Sequence, residues 1–574
     1  VEQKEVLRLG ELVPVGDLYD QIAAGEEAFS SDMKRFFDMA HQLYRKGLRP
    51  MLEEMHQLSF EEAQKLDWRD VKRESLRNDD RLIKTLLLAS LAPEVESLKA
   101  LTPSRLAALN HGTIKSPIPG QEASIVRERL RQFAARCGQI KFSDSGNQPI
   151  ISIQVSGVDL DGILERASDH DNPGNRLRLL KKKLFEALGV AQAEKLWIEH
   201  SIMWRGSRRD CKLVFANVRE CEDNILTNDE ERWSIIIDYP IDLDQHGPHD
   251  DLVRIQEYRK KNRHSRTLLW IPSIFSQAAT DQLGKLVKLE HILDEMRFPT
   301  FVTHLSQQDR ETARSMLKNM RDILDSAMLL QLAEAYGLNP NPASPSIDSM
   351  RSLSGEEHFQ SLDPALQLQV PASSSLRDAL GEMLTQALDS QYPAHPFFSD
   401  EIRFTEGNLM KVLGVIQENL RSKEPRNLVE KTERKLVRQI VEPLKLGSMG
   451  ETHFVIGEHW RDHFHRLAAK TNSIDEVKVR EIRSWIDTPQ PMGLMRILQD
   501  LILIVWAQQT HRVFMMHQST VDPKLKDLED DWVLRTIDLP DQDKWDKAVL
   551  LVHTVLGVPN LPAVPTGSNC SLFA

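Results

Sequence analysis

The chain is poor in the features that mark several protein classes. Only four of its 574 residues are cysteine, and no two of them are spaced as C-x-x-C. Scattered cysteines in a chain of this length predict a reducing compartment without a disulfide framework, so we expect a cytoplasmic protein. The longest apolar run, residues 501–507, lies between Asp500 and Gln508 and is far too short to cross a bilayer.

The sequence also lacks the motifs of the common catalytic folds. It contains no G-x-x-x-x-G-K-[ST] phosphate loop, no G-x-G-x-x-G and no G-x-S-x-G. The one Gly-Lys pair, Gly284-Lys285, is followed by Leu286 in a segment with helical spacing. A basic surplus is missing too, because 85 acidic residues outnumber 73 basic ones. This balance argues against a protein coated in basic surface for nucleic acid, although a local basic face stays compatible with it.

Two apolar segments that each end in a polar residue are the most informative feature present. Residues 233–240 predict a buried strand that ends at Asp238, and residues 267–273 predict a second strand that ends at Ser273. Helical patterns at 281–295 and 307–336 follow them, and this alternation predicts a parallel sheet covered by helices. In nucleotide-hydrolysing folds an aspartate after such a strand holds Mg²⁺. We therefore expect a central α/β, AAA-like domain in a multidomain and mainly helical chain, of class α/β plus α.

Composition shifts divide the chain into seven predicted segments. We expect a helical, lid-like segment at 1–78, a winged-helix module at 79–158, the α/β domain at 159–338 and a linker at 339–375. A helical region with a second winged-helix-like module follows at 376–478, then a C-terminal helical region at 479–560 and a disordered tail at 561–574.

The first winged-helix module is predicted from three helices and a hairpin. The helices are one capped by Asp79, one that begins after Thr102-Pro103, and one at 121–136. Two segments of alternating apolar residues follow, joined by a turn at residues 144–147. Such folds can place a helix in a DNA major groove. The candidate DNA-contact residues are Arg105, Arg127, Arg129, Arg131 and Lys141. A solvated helix face explains the same charges, and winged helices also mediate protein contacts, so both alternatives stay open.

An acidic loop follows Asp238 and gives an alternative function. Asp238, His246 and His249 are the candidate metal ligands, because carboxylates and imidazoles at this density can bind a divalent cation. In that alternative the chain is a metal-dependent phosphate-handling enzyme with Asp238 as its candidate catalytic residue. A solvated loop whose Asp250 and Asp251 cap the next helix accounts for the same residues without any chemistry.

Several strings of the sequence are together similar to a known family. They are DDRLIKTLLLA (79–89), LAALNHG (106–112), SPIPG (116–120), IDYP (237–240), HGP (246–248), YPAHP (392–396), LVRQI (436–440), PLKLG (443–447) and MGETHF (449–454). This set resembles the PglY/BrxC-type large P-loop ATPases of BREX phage-resistance systems, and the PglY type most of all.

The resemblance implies a bacterial, cytoplasmic antiviral protein that works beside a DNA methyltransferase and a phosphatase-like protein. It implies ATP and Mg²⁺ for the whole family protein, but the family's phosphate-binding loop has no counterpart in this chain. ATP hydrolysis is therefore not transferred to any residue here, and the absent initial Met suggests a fragment of the longer protein. We expect a scaffold within a large ATPase, with DNA, the two partner proteins and a second copy of the chain as expected partners.

Overall fold

A computed structural model of the chain describes residues 565 and 570 and residues 13–558, except for 25–30, 68, 117, 119, 144–145, 156–157, 191–196, 243–245, 262–263, 340–343, 400–401, 422–425, 472–474 and 518. The described residues combine helices with several small sheets, which confirms the mixed α and β class. Three large groups of buried apolar side chains follow one another along the chain, within residues 19–153, 135–388 and 398–534. The predicted tail at 561–574 lies almost entirely outside the described residues.

The first core is built from helices and one hairpin. Its elements are α1 Asp17–Ala24, α2 Ser31–Leu43, α3 Arg49–His56, α4 Phe60–Ala63, α5 Val71–Leu91, α6 Pro103–Leu109, α7 Glu122–Arg136, β1 Ile140–Phe142 and β2 Ile151–Ile153. The strands pair antiparallel with Lys141 opposite Ser152, as the hairpin prediction requires. The Ile151 amide also donates to the Leu101 carbonyl at 2.7 Å, so a third backbone segment lies beside β2.

The start predicted for the first helix of this unit is wrong. The helix is not capped by Asp79 but runs from Val71, because the Asp70 side chain accepts the amides of Lys72 and Arg73 and caps it nine residues earlier. The boundary predicted between residues 78 and 79 therefore lies inside α5. Side chains from both sides of it, such as Leu52 and Phe133, share one core.

The central unit contains a five-stranded sheet. Its elements are α8 Leu160–Glu165, α9 Pro173–Leu188, β3 Trp197–Trp204, β4 Ser207–Phe215, α10 Asp223–Leu226, β5 Ser234–Ile237, α11 Pro248–Lys260, β6 Thr267–Trp270, α12 Gln277–Ile292, α13 Phe298–Phe301, α14 Gln307–Ala335, β7 Phe359–Ser361 and α15 Leu376–Gln391. The strands lie in chain order, β3-β4-β5-β6-β7. β4, β5 and β6 run parallel, and the two edge strands are antiparallel to their neighbours.

Both faces of this sheet are buried, which explains the unbroken apolar runs in the sequence. Ile235 and Ile237 face the large central core, which α9, α12, α14 and α15 complete. Ile236 faces a smaller core on the opposite side, together with Ile255 and Tyr258 of α11. The strand that ends at Asp238 therefore lies in the middle of the unit.

Two predictions for this unit need correction. The sheet is mixed and not wholly parallel, because the edge strands β3 and β7 run antiparallel to β4 and β6. β7 also lies inside the stretch 339–375 that was predicted as a linker: its residue Gln360 pairs with Leu269. A three-residue strand within a segment rich in Pro and Ser gives too weak a periodicity to detect.

The last part of the chain carries two further sheets. Its elements are α16 Glu406–Arg421, β8 Asn427–Leu428, α17 Arg434–Val441, β9 Gly447–Met449, β10 His453–Ile456, α18 His459–Thr471, β11 Glu476–Lys478, α19 Val479–Ile486, α20 Arg496–Gln509, β12 Arg512–Met516, β13 Ser519–Val521, β14 Val533–Thr536 and α21 Gln542–Leu556. The sheets have the orders β8-β10-β9 and β11-β14-β12-β13, and every pair in them is antiparallel. The region 479–560, for which a helical region was predicted, contains three helices and also three strands among its described residues.

Two parts of the molecule share an element order. The N-terminal module is α5–α7 with β1 and β2, and the C-terminal module is α18–α20 with β11–β14. In each module, three helices precede a hairpin. A segment that comes before the third helix lies beside the last strand: Leu101 beside β2 in the N-terminal module, and β11 beside β14 in the C-terminal module.

The β3–β4 hairpin joins the central unit to the chain that follows it. The Phe398 amide donates to the Arg205 carbonyl at 3.1 Å, and the Arg205 guanidinium donates to the His395 carbonyl at 2.7 Å. Gly206 has a φ of +73°, and a Cβ atom there would lie 2.7 Å from the Phe398 Cβ. The tip of the hairpin therefore fits against the next unit only with glycine at this position.

None of the described helices combines the length and the apolar character that a membrane-spanning segment needs.

Candidate functional site

Asp238 lies at the end of β5 and is almost completely buried, with 2% of its surface exposed. Its two carboxylate oxygens accept backbone amides, from Val218 at 2.8 Å and from Tyr239 at 2.6 Å. The Tyr336 hydroxyl donates to the Asp238 carbonyl. These contacts tie the end of β5 to the loop after β4 and to the end of α14. The carboxylate therefore acts as an internal connection of the fold.

A second buried acid strengthens this interpretation. Burial raises the pKa of Asp238 well above the usual carboxyl range, and the nearby Asp251 adds to that rise. Burial also raises the pKa of Asp251 to about 6, and its carboxylate accepts the Arg219 amide at 3.0 Å. The Arg219 guanidinium meanwhile pairs with Asp242 at 2.9 Å. Each charged group here has a protein partner in place of an open coordination position.

The histidines predicted as metal ligands do not complete a site. His246 is exposed and its Nδ1 lies 3.1 Å from the Asp250 carboxylate, while His249 is exposed on the first turn of α11. The described residues contain no group of three or more His, Cys, Asp or Glu side chains able to hold a metal ion. Asp244 lies outside them. The residues present do not fit Mg²⁺ with ATP, and the metal-enzyme alternative has no support.

Partners within the protein also occupy the arginines predicted to contact DNA. Arg129 of α7 pairs with the buried Asp79, whose other oxygen lies 2.9 Å from His56. Arg127 donates to the amide oxygen of Asn147 in the hairpin connection, and Arg131 is half-buried on the same helix. The charge row of α7 therefore faces α5 and the hairpin at least as much as it faces solvent.

The two remaining candidates are used in the same way. The Arg105 guanidinium donates to the Glu96 carbonyl at 2.7 Å. Lys141 donates to the Ser315 hydroxyl of α14 at 3.0 Å, and burial lowers the pKa of this lysine. The structure thus brings Arg127, Arg129 and Arg131 together on one helix, but directs Arg105 and Lys141 to different neighbours.

The end of α7 and the hairpin dock on the central unit. The Asn319 amide of α14 donates to the Ile140 carbonyl at 2.9 Å, and Lys285 of α12 donates to the Arg136 carbonyl at 3.0 Å. Met316 and Met320 come so close to Gly138 that a Cβ there would meet the Met320 Cε at 2.8 Å. The C-terminal end of α7 is therefore a packing element, while other positions of the helix, such as Glu128 and Gln132, are exposed.

The third helix of the C-terminal module is buried even more completely. Every residue of α20 from Leu501 to Ala507 is buried. Its one buried carboxylate, Asp500, accepts the Arg483 guanidinium at 2.6 Å and the Lys526 amide at 2.9 Å. Such a helix cannot enter a DNA groove without unfolding the core around it.

One exposed surface was missed by the sequence reasoning. Trp545 is buried and anchors the first half of α21, whereas the second half carries exposed apolar residues. Leu550, Leu551, Val555 and Leu556 are between 64% and 69% exposed; these four residues are here called the α21 stripe. The signal was present in the sequence, because apolar residues at 551 and 555 recur at helical spacing, but that pattern usually indicates a core-facing helix. Contiguous exposed apolar residues mark sites of protein association.

Comparison with protein families gives three matches along the chain. A model described as the second domain of the BREX system ATPase PglY matches residues 1–146. A model described as the PglY fourth domain matches residues 163–392, and one for the fifth domain of the same ATPase matches residues 407–507. No solved structure matches the chain.

Proposed function

Because this chain belongs to the PglY-type ATPase family of BREX phage-defence systems, we propose that it is a scaffold that binds partner proteins of the defence complex. The proposal does not include ATP hydrolysis by this chain, since the sequence has no phosphate loop and Asp238 is an internal connection. The scaffold role is also compatible with a central sheet that is not AAA-like.

One observation carries the proposal: the third helix of both modules packs within the protein. The order of three helices and a hairpin, with Leu101 beside β2 and β11 beside β14, supports a winged-helix interpretation of both modules. In DNA-binding members of that class the third helix must be free to enter the major groove. Here the end of α7 and β1 dock on the central unit, and α20 is surrounded by core. The modules therefore serve as packing units.

The α21 stripe is the proposed docking surface for a partner. Its four residues are exposed on a helix whose first half is anchored by Trp545. The methyltransferase and the phosphatase-like protein of the same defence system are the proposed partners, because the family resemblance implies both. An apolar surface of this kind suits a stable protein contact better than a phosphate contact.

The test is co-purification of the tagged chain with each partner. The double variant L551D/V555D is expected to lose the partner while its circular dichroism and melting temperature stay unchanged, because both side chains are exposed. The matched control is M350D/M410D, which places two carboxylates at other exposed apolar positions and is expected to retain the partner. Retention of both partners by L551D/V555D would contradict the docking surface, and failure of the unaltered chain to bind either would contradict the scaffold.

DNA binding at the edge of α7 is a second candidate. The observation that favours it is the partner of Arg127, which is the neutral amide of Asn147 and not a carboxylate. Its positive charge thus lies beside the hairpin connection, where a phosphate could approach.

A further inference from the structure

A cleft of about 690 Å³ opens between α9 and α12 in the central unit. Side chains of these two helices line it, together with His170 before α9 and Arg297 after α12. Its volume lies within the range of pockets that bind small molecules, roughly 300–1,000 Å³. No residue of the Asp238 region takes part in it.

Positive charge dominates the lining of this cleft. Four cationic side chains face it, those of Arg178, Lys181, Lys182 and Arg297, against the single carboxylate of Glu290. Only Lys182 is close to that carboxylate, at 3.4 Å. An excess of cations around one concave space attracts anions and is costly to maintain unless an anion or solvent compensates it.

The contacts of these cations leave their charge available. The Arg178 guanidinium donates to the neutral Asn175 at 3.0 Å, and that of Arg297 lies 2.7 Å from the His291 Nδ1. Lys181 lies over the Phe185 ring at 5.5 Å and, among the described residues, has no carboxylate within ion-pair distance. None of these three contacts neutralises a charge.

The other cations of α9 behave differently. Arg176 pairs with Asp171 at 2.6 Å, and the buried Lys183 pairs with Asp325 at 2.6 Å. Within the described part of the chain, α9 thus pairs these two cations with carboxylates, whereas Arg178 and Lys181 at the cleft have no close carboxylate.

The remaining lining combines Asn175 and two imidazoles with three apolar side chains. The imidazole rings of His170 and His291 stack with centroids 3.7 Å apart, and burial lowers the pKa of His291. Leu179, Phe185 and Val287 are buried and form the apolar part of the wall. A ligand that combines a planar ring with an anionic group would match both parts of the lining.

We propose that this cleft binds a small organic phosphate of mononucleotide size, with the phosphate among Arg178, Lys181 and Arg297 and the ring against the apolar wall. The site is independent of the scaffold function and of any phosphate loop.

Isothermal titration of the full chain with AMP and with inorganic pyrophosphate tests the site. Both probes are expected to bind, and AMP more tightly if its base contacts the apolar wall. The variant K181E reverses a charge that has no carboxylate partner, and R178E does the same at an exposed position in case K181E fails to fold. Each is expected to weaken binding about tenfold or more, because one charge-assisted hydrogen bond is lost and a repulsion is added.

The control is K318E, which makes the same change at an exposed position of α14 that does not line the cleft; it is expected to bind like the unaltered chain. The proposal is overturned if neither probe binds at millimolar concentration, or if K318E weakens binding as much as K181E and R178E do. If pyrophosphate and AMP bind with equal affinity, the proposed contact between the ring of the ligand and the apolar wall is contradicted. Lys181-dependent binding of an oligonucleotide without binding of either small probe would replace the small ligand by a nucleic acid strand.

Discussion

The N-terminal and C-terminal modules follow the same order of elements, but the third helix is rich in arginine in one and apolar in the other. α7 has arginines at 127, 129, 131 and 136, whereas α20 is apolar through 501–507. Both helices nevertheless pack within the protein. α20 is buried by its hydrophobic side chains through residues 501–507, whereas α7 buries one apolar face, with Leu130 and Phe133, and adds the Arg129–Asp79 ion pair. The comparison teaches that a row of arginines does not by itself indicate an outward-facing helix.

The ion pairs of the two modules also differ in how far they are buried. Asp500 on α20 is fully buried and meets Arg483, which is itself only 10% exposed in its side chain. Asp79 under α7 is equally buried, but its partner Arg129 is 36% exposed. Water can therefore compensate for a lost partner under α7 far better than under α20.

The largest expected effect concerns Asp500. The substitution Asp500→Ala leaves the buried Arg483 without its closest carboxylate, and we expect a loss of about 3–5 kcal/mol in the free energy of unfolding. Chemical denaturation measures it. The control Asp527→Ala removes an exposed acid from the neighbouring loop and is expected to change stability by less than about 0.5 kcal/mol. Equal stability of both variants would show that Arg483 relies on Asp530, 3.0 Å away, instead.

The central sheet supplies a third buried acid for comparison, and its effect depends on pH. Because the folded-state pKa of Asp251 is raised to about 6, its protonated form favours folding. That stabilisation is complete below pH 4 and is lost as the pH rises through about 6. Relative to Asp251→Asn, which does not titrate, the unaltered protein is expected to lose about 1–3 kcal/mol between pH 4 and pH 7.5. Parallel stability curves for the two proteins would refute the raised pKa.

A smaller effect is expected at Arg129. The substitution Arg129→Ala leaves Asp79 with only His56 as a side-chain ion-pair partner, and we expect a loss of about 1–3 kcal/mol. The matched control is Arg136→Ala, on the same helix, whose ion pair with Glu54 is exposed on both sides; its expected cost is about 0–1 kcal/mol. If the two variants are equally stable, the arginines of α7 are not structural, and the contrast between the modules is lost.

The smallest effect is expected in DNA binding. For R127E/R131E, fluorescence anisotropy with a duplex at low salt is expected to show less than about a threefold change in affinity, because α7 packs within the protein. A helix that contacts several phosphates would lose tenfold or more on two charge reversals. The control is the double charge reversal R208E/R321E at other positions. A tenfold loss in R127E/R131E that the control does not show would establish DNA binding at the edge of α7 and would contradict its role as a packing element.

Long and well-capped helices could be predicted from the sequence. The helix at 307–336 is observed as Gln307–Ala335 with Ser306 as its cap, and Pro103 begins α6 after the capping Thr102. The β5 and β6 strands were recognised because both faces of the sheet are buried. Local signals sufficed where one helix or strand is specified by its own residues.

Features that depend on distant partners were not predicted. β7 and β14 are short strands held by neighbours far away in sequence, so their own patterns are weak. The sequence left the role of Asp238 open for the same reason, since a strand-end aspartate that binds a metal and one that accepts the Val218 amide have the same sequence. The cations of α9 were visible in the sequence, but only the fold shows which of them face the cleft. The remaining domain boundaries stay predictions.

The hairpin formed by β3 and β4 has a mechanical consequence. Its strands belong to the central sheet, while its tip is held by the backbone of residues 395–398, and Arg209 from the same hairpin donates to the Gly493 carbonyl. A hairpin that is held at both its strands and its tip is a rigid connection between the two regions. A rotation of the central sheet would therefore act directly on residues 395–398 and on Gly493 through the hairpin.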